Sequence, residues 1–242
     1  MPANTTIRIS DTLNWVAAFI QQRPTTGVAN IPNEPALTAA NKVMQSILAP
    51  PFRWSWNRAE NSTIICTPGV TDYTVVLPNW GWLEKAYGYL VTNTPPTFEI
   101  EVSQVLSKES NPNRPQKIAP LLDDGNGNIT FRLLPAPDQA YAITLEYQKS
   151  AILATTLGGS LWAPIPDRYA FIYEQGMLAL LQGIYSAQLY MMNMEIFFRQ
   201  LVGAAEGLTE TEKAIFLEDQ LRIQRTQANS AIGTQQGKST RL

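Results

Sequence analysis

Histidine is absent from the sequence, and cysteine occurs once. The first absence removes Ser–His and Cys–His nucleophile systems and the commonest metal ligand. The second removes intramolecular disulfides and multi-cysteine metal sites. Carboxylate or lysine catalysis stays open, yet the expectation is a protein that is not an enzyme and carries no cofactor. Charge is scarce too: Asp, Glu, Lys and Arg make up 16% of 242 residues, where about a quarter is usual. A surface so poor in charge suits a chain that covers itself with partners. The net charge of −2 gives no overall pull toward nucleic acid. "MPANTTIRIS" has neither the basic start nor the apolar run of a secretory leader, so a reducing cytoplasm is the expected place of synthesis. Cys66, in "TIIC", reads as a small core side chain.

Two amphipathic helices come first. Leu13, Val16, Ala17 and Ile20 share a face behind a cap at Ser10 or Asp11. Asn33-Glu34-Pro35 opens the second, whose Leu37, Ala40, Met44, Ile47 and Leu48 line up before Pro50-Pro51 stops it. From Thr63 to about Lys149 the period changes. "NSTIICTPGVTDYTVVLP" reads as strand, turn, strand around Pro68-Gly69, and "LEKAYGYLVTN", "TFEIEVS" and "ITFRLLPAPDQAYAITLEYQK" add further strands. After Trp162 the pattern predicts one long helix, largely apolar around its cylinder. Gln175, Gln182, Ser186, Gln188 and Asn193 argue against a membrane span, and Gln175, Gln182, Ser186, Asn193 and Gln200 share a narrow polar stripe. Gly176, Ala179 and Gly183 offer a flank for close approach, read here as subunit-to-subunit packing.

Thr209 and Glu212 form a capping box that opens a last helix through about Thr226. The remainder is polar and small, and reads as an extended tail. After Asp219 no acidic residue follows, while Arg222, Arg225, Lys238 and Arg241 do. This segment is drawn to an acidic surface or to DNA, or it is a solvated, dispensable terminus. The expected fold is α+β. A helical domain of two N-terminal helices, one long helix and a C-terminal helix carries an inserted small antiparallel β domain and an extended C-terminal tail. The boundaries are 1–58, 59–150, 151–226 and 227–242.

Candidate chemistry is thin. In "LLDDGNGNITF", Asp124, Asn126 and Asn128 offer oxygens at alternate positions. The glycine and glutamate of a calcium loop are missing at its sixth and twelfth positions. Asp-Gly and Asn-Gly are strong hairpin signals, so a turn is the preferred reading. Glu99 and Glu101 point to one face of a strand, as a solvated face does. "LGGSLW" lacks the lysine of a phosphate loop. Trp54, Trp56, Trp80, Trp82 and Trp162 can form a stacking platform for sugars or bases, or can wedge where helices meet the β domain. The neighbouring prolines favour packing.

The order of the pieces carries a resemblance. A helix "ALTAANKVMQSIL" leads into "FRWSWNR", then "TPGVTDYTVVLP", "ITFRLLPAPDQAYAITLEYQKSA" and "LWAPIPDRYAFIYEQGMLALL", with a terminal helix and polar tail behind them. The matching residues are Trp54, Trp56, Gly69, Tyr73, Leu77, Pro78, Pro135, Pro137, Asp138, Tyr147, Ile165, Pro166, Asp167 and Tyr169. Spread from Ala36 to about Leu221, this order resembles the head-to-tail adaptor (connector) proteins of tailed bacteriophages. The resemblance implies a homo-oligomeric ring, usually of twelve copies, in the virion neck. Such a ring docks on the portal protein, meets a tail or nozzle protein below, and continues the channel through which DNA leaves. It also implies non-specific DNA contact at most, no membrane, and no cofactor. Arg222, Arg225, Lys238 and Arg241 then become portal-docking residues, and Trp54, Trp56 and Trp162 the domain junction. The rival from another class is a carbohydrate-binding or depolymerising virion protein that uses exposed aromatics. A sheet-borne nucleic-acid module is a third reading.

Overall fold

A computed structural model describes residues 4–25, 32–92, 97–104 and 111–236. The chain forms two compact units, Met1–Trp56 with Ala151–Leu242, and Asn57–Ser150. The fold is mixed α+β: two N-terminal helices, a central curled sheet and three C-terminal helices.

In the helical unit, α1 spans Ile9–Ile20 and α2 spans Ala36–Leu48. The first cap differs from the expected one. Helix α1 starts at Ile9, and Asp11 sits in its first turn, where its carboxylate accepts from the Arg8 amide. Glu34 accepts from the Thr38 amide ahead of α2, and the helix ends before Pro50-Pro51 as expected. The long helix is in fact two: α3 (Ala170–Gln182), behind a short 3-10 turn at Asp167–Tyr169, and α4 (Ala187–Ala204). Helix propensity fails at Gly183, and Ser186 restarts the chain as an N-cap whose hydroxyl accepts from the Leu189 amide.

The two helices lie antiparallel, because Gln175 reaches Asn193 at one level and Gly183 meets Tyr190 at another. This corrects the reading of a wide apolar cylinder covered by neighbouring subunits. Helix α3 is central, packed by α1, α2 and α4 of its own chain, and Ile172, Tyr173, Met177 and Leu181 are buried there.

The last helix, α5, spans Glu210–Gln236 and opens with the expected capping box: Thr209 and Glu212 exchange hydrogen bonds. It runs ten residues beyond the expected end at Thr226, so residues 227–236 are helical rather than extended. That stretch has no proline and is rich in alanine and glutamine, both good helix formers. Extending a helix already nucleated costs far less than starting one.

The sheet unit holds seven strands among the described residues: β1 (Arg58–Ile65), β2 (Asp72–Val76), β3 (Trp80–Leu90), β4 (Phe98–Val102), β5 (Lys117–Asp123), β6 (Asn128–Leu134) and β7 (Tyr141–Lys149). Their order is β1-β7-β3-β4-β5-β6-β2. The sheet is mixed rather than antiparallel, since β4 and β5 run parallel. Nor do β1 and β2 form a hairpin around Pro68-Gly69: they pair with β7 and β6 at opposite edges. A flat sheet with six gaps of about 4.8 Å places those edges roughly 29 Å apart. The seven residue steps from Ile65 to Asp72 span at most about 24 Å. The short link therefore requires the sheet to curl. The curl encloses Leu77, Ile100, Ile118, Ile129, Phe131, Leu133, Ile143 and Leu145 as a second core.

Candidate functional site

Trp54 and Trp162 are fully buried in the helical core. The Trp54 indole donates to the Ile47 carbonyl at 2.7 Å and stacks on Trp56 at 5.4 Å. Trp162 donates to the Thr12 hydroxyl at 2.9 Å and lies nearly parallel to Tyr173 at 4.4 Å. Trp56 is partly buried, contacts Tyr169, and is the last residue before the sheet unit begins. A buried indole stabilises through its apolar area once its N–H finds an acceptor, which Trp54 and Trp162 both do. Neither can serve as a stacking platform.

The residues assigned to subunit packing lie largely inside the chain. Ala179 is fully buried. A Cβ at Gly176 would stand 2.9 Å from both Val43 and Phe197, so the absence of a side chain lets α2, α3 and α4 approach closely. Gly183 abuts Tyr190. Ala179 thus has no surface left for a neighbour, and Gly176 is used for packing within the chain, which tells against their assignment. Three residues of the polar stripe are explained the same way. Gln175 donates to Asn193, Asn193 donates to the Gln182 side chain and to the Leu189 carbonyl, and the three clamp α3 to α4.

Part of what α4 leaves outward is apolar. Leu189, Met192 and Ile196 are 39%, 53% and 39% exposed. At spacings of three and four residues they form one stripe. The neighbouring Glu195 and Arg199 pair with each other at 2.8 Å. On α1, Trp15 and Phe19 are also exposed, with ring centroids 4.7 Å apart. No sequence signal separated the α4 face from the buried ones, because the expected single helix was apolar nearly all round.

Of the four basic residues, Arg222 is exposed on α5 and pairs with Asp219 at 3.3 Å. Arg225 lies on the same helix. Lys238 and Arg241 fall outside the described residues.

In the sheet unit, Asp124 accepts from the Asn126 and Asn128 amides and from the Asn128 side chain. Those bonds, led by the Asn128 side chain, hold its carboxyl below the usual range. They build the turn from within. Among the described residues no cluster of three or more acidic or cysteine side chains could hold a metal. Glu99 and Glu101 are exposed on one face of β4, and Glu101 meets Lys117 across the strand at 3.8 Å. Cys66 is buried, which pushes its thiol up to about 11 despite a hydrogen bond from Tyr73.

Beside that turn lies an open cleft of about 540 Å³. One wall is the turn at Asp123 to Gly127, the other is the β2–β3 connection Pro78-Asn79-Trp80, and Ser150 closes one end. Both walls are fixed by backbone bonds: Leu77 donates to the Gly127 carbonyl, and Ser150 donates to the Asn79 carbonyl, each at 2.8 Å. Gly127 has φ of 88°, and a Cβ there would press on the Leu77 carbonyl at 3.3 Å. Trp80 is half-buried against Phe131 and Tyr147.

No helix among the described residues is long and apolar enough to cross a membrane. No protein-family model matches the chain, and no curated protein matches it.

Proposed function

We propose that the chain is a structural virion protein, a head-to-tail adaptor. Copies of it, by the resemblance twelve, form a ring under the portal, connect capsid to tail and continue the DNA channel. The partners in this reading are the portal protein above, a tail or nozzle protein below and further copies of the chain at the sides. Any DNA contact is non-specific and made from the channel wall. No enzymatic activity, cofactor or membrane enters into it. The protein is made in the host cytoplasm and resides in the virion neck.

The observation that carries the reading is the apolar stripe of Leu189, Met192 and Ile196, which α4 presents outward instead of to its own core. Such a contiguous exposed apolar face on a charge-poor chain marks an interaction surface. It replaces Gly176 and Ala179 as the lateral contact. The order of sequence pieces supplies the class. The depolymerising reading loses Trp54 and Trp162, both buried.

The test is assembly onto purified portal, followed by electron microscopy. Met192→Glu with Ile196→Glu puts charges on exposed positions, so the monomer keeps its unfolding temperature. In a neighbour's interface each unpaired charge costs several kcal/mol, so rings are lost. Rings formed equally well by the variant overturn the lateral role of α4. Failure of the unmodified chain to join portal at all overturns the adaptor reading.

A further inference from the structure

The cleft of the sheet unit combines features that no part of the adaptor reading uses. It is bounded by rigid backbone on both sides, and its volume lies within the range of small-molecule sites. Its lining is mixed. Trp80 and the Pro78 ring give an apolar wall, and Asn79, Asp123, Asn126 and Ser150 surround it with amide, carboxylate and hydroxyl groups. Among the described residues neither the Trp80 indole N–H nor the Asn79 carboxamide has a protein partner, so both remain available to a ligand.

Electrostatics narrow the ligand. No lysine or arginine lines the cleft, while Asp123 does and Asp124 stands beside it. Phosphates and carboxylates are therefore repelled, which disfavours nucleotides and acidic peptides. A ligand that suits an aromatic wall and a polar rim has one apolar face and hydroxyls around its edge. A pyranose ring has both. Its C–H face lies on the indole, and its hydroxyls both donate to carboxylate and amide oxygens and accept from N–H groups.

We propose that this cleft is a binding site for a neutral saccharide of one or two rings. Trp80 supplies the stacking face, and Asn79, Asp123 and Asn126 read the hydroxyls. Asn79 holds φ of 54°, a left-handed conformation that glycine adopts freely. Asn79→Gly therefore removes the carboxamide while keeping the turn.

The test is NMR titration of the 15N-labelled full chain, following the indole N–H signals of its six tryptophans, with the Trp80 signal assigned sequentially. The probes are glucose, galactose, N-acetylglucosamine and the β-linked disaccharides cellobiose, lactose and chitobiose, with AMP and calcium chloride as comparators. One or more of the sugars is expected to move the Trp80 signal saturably, with the other indoles unmoved, and with an affinity in the millimolar range usual for a single small contact site. Asn79→Gly is expected to weaken that binding about tenfold, the loss of roughly one good hydrogen bond. Trp80→Phe is expected to weaken it by at least as much. Should that variant fail to fold, since Trp80 also packs on Phe131 and Tyr147, Asp123→Asn on the exposed turn takes its place. No saturable shift with any of the sugars overturns the proposal. So does AMP or calcium moving the same signal more tightly, or a sugar response unchanged by Asn79→Gly. Ring assembly plays no part in this experiment, so its outcome leaves the adaptor reading untouched.

Discussion

Asp167 ties the start of the described chain to the turn before α3. Its carboxylate accepts from the Thr6 amide and hydroxyl and from the Ile7 amide. Burial raises its pKa, but the bonds from Thr6 and Ile7 outweigh this and leave it below the ordinary value. A lowered carboxylate pKa stabilises the fold above the unfolded value of about 3.9. That stabilisation is lost as pH falls through the lower folded value. Amide exchange at Thr6 and Ile7 is therefore expected to be slow at neutral pH and to lose its protection on acidification. Asp167→Asn, which keeps one acceptor and adds donors facing the amides, is expected to cost about 1 kcal/mol, since the site is partly open to solvent. It is also expected to abolish that pH dependence; persistence of the acid transition in the variant assigns it elsewhere. Asp167 was legible in the sequence as part of "IPDRY", but its partner segment, some 160 residues away, was not. The burial of Cys66 and the turn role of Asp124 were legible, because both follow from immediate neighbours.

At the scale of elements, the α3–α4 hairpin stands on one polar clamp in an apolar contact. Asn193 is buried and engages Gln175, Gln182 and the Leu189 carbonyl at once. Replacing it with leucine leaves two half-buried glutamine side chains without their partner, at a cost of about 1–3 kcal/mol. Chemical denaturation is expected to show that loss, with the sheet unit's signals unaffected; a neutral effect means the clamp is solvated. The sequence displayed these residues as a stripe along one straight helix. The break at Gly183 to Ser186 folds the stripe onto itself, so that a pattern suggesting an outer face became an inner one. Helical spacing is identical in both cases. Only the turn between the helices decides which side the residues meet. β3 shows the same limit. The register shift between Leu83 and Lys85 leaves Glu84 buried, bonded to the exposed Arg58 and to Gln148, where period-two alternation alone gave no hint of a buried carboxylate.

For the whole molecule, the open question is what α5 and the residues beyond it reach. Residues after Asp219 carry basic side chains and no acidic ones, and the helix continues to Gln236. Deleting Gln227 to Leu242 is expected to spare both compact units. Phe216, which anchors α5 on Phe52 and Phe198, lies well before the cut. If this end docks on the portal, the truncated chain binds portal-bearing heads more weakly, and the difference shrinks as salt screens the charges. Equal binding at every salt concentration removes the docking role, and salt-sensitive DNA binding by the deleted segment alone redirects it to the channel.

Local and compositional rules decided a good deal by themselves. The absence of histidine, the proline that stops α2, the Thr209–Glu212 cap and the switch from helical to alternating period placed two N-terminal helices, a β insertion and a capped C-terminal helix. These features depend on near neighbours in the chain, and one sequence is enough to specify them. Tertiary structure alone decided the rest. It set the sheet order, with β1 and β2 at opposite edges; the parallel pairing of β4 and β5; the burial of Gly176 and Ala179; and the exposure of Leu189, Met192 and Ile196. Each is a choice between partners of equal hydrophobicity distant in sequence. Chain reach and packing shape settle such choices, and a pattern of apolar and polar letters contains neither.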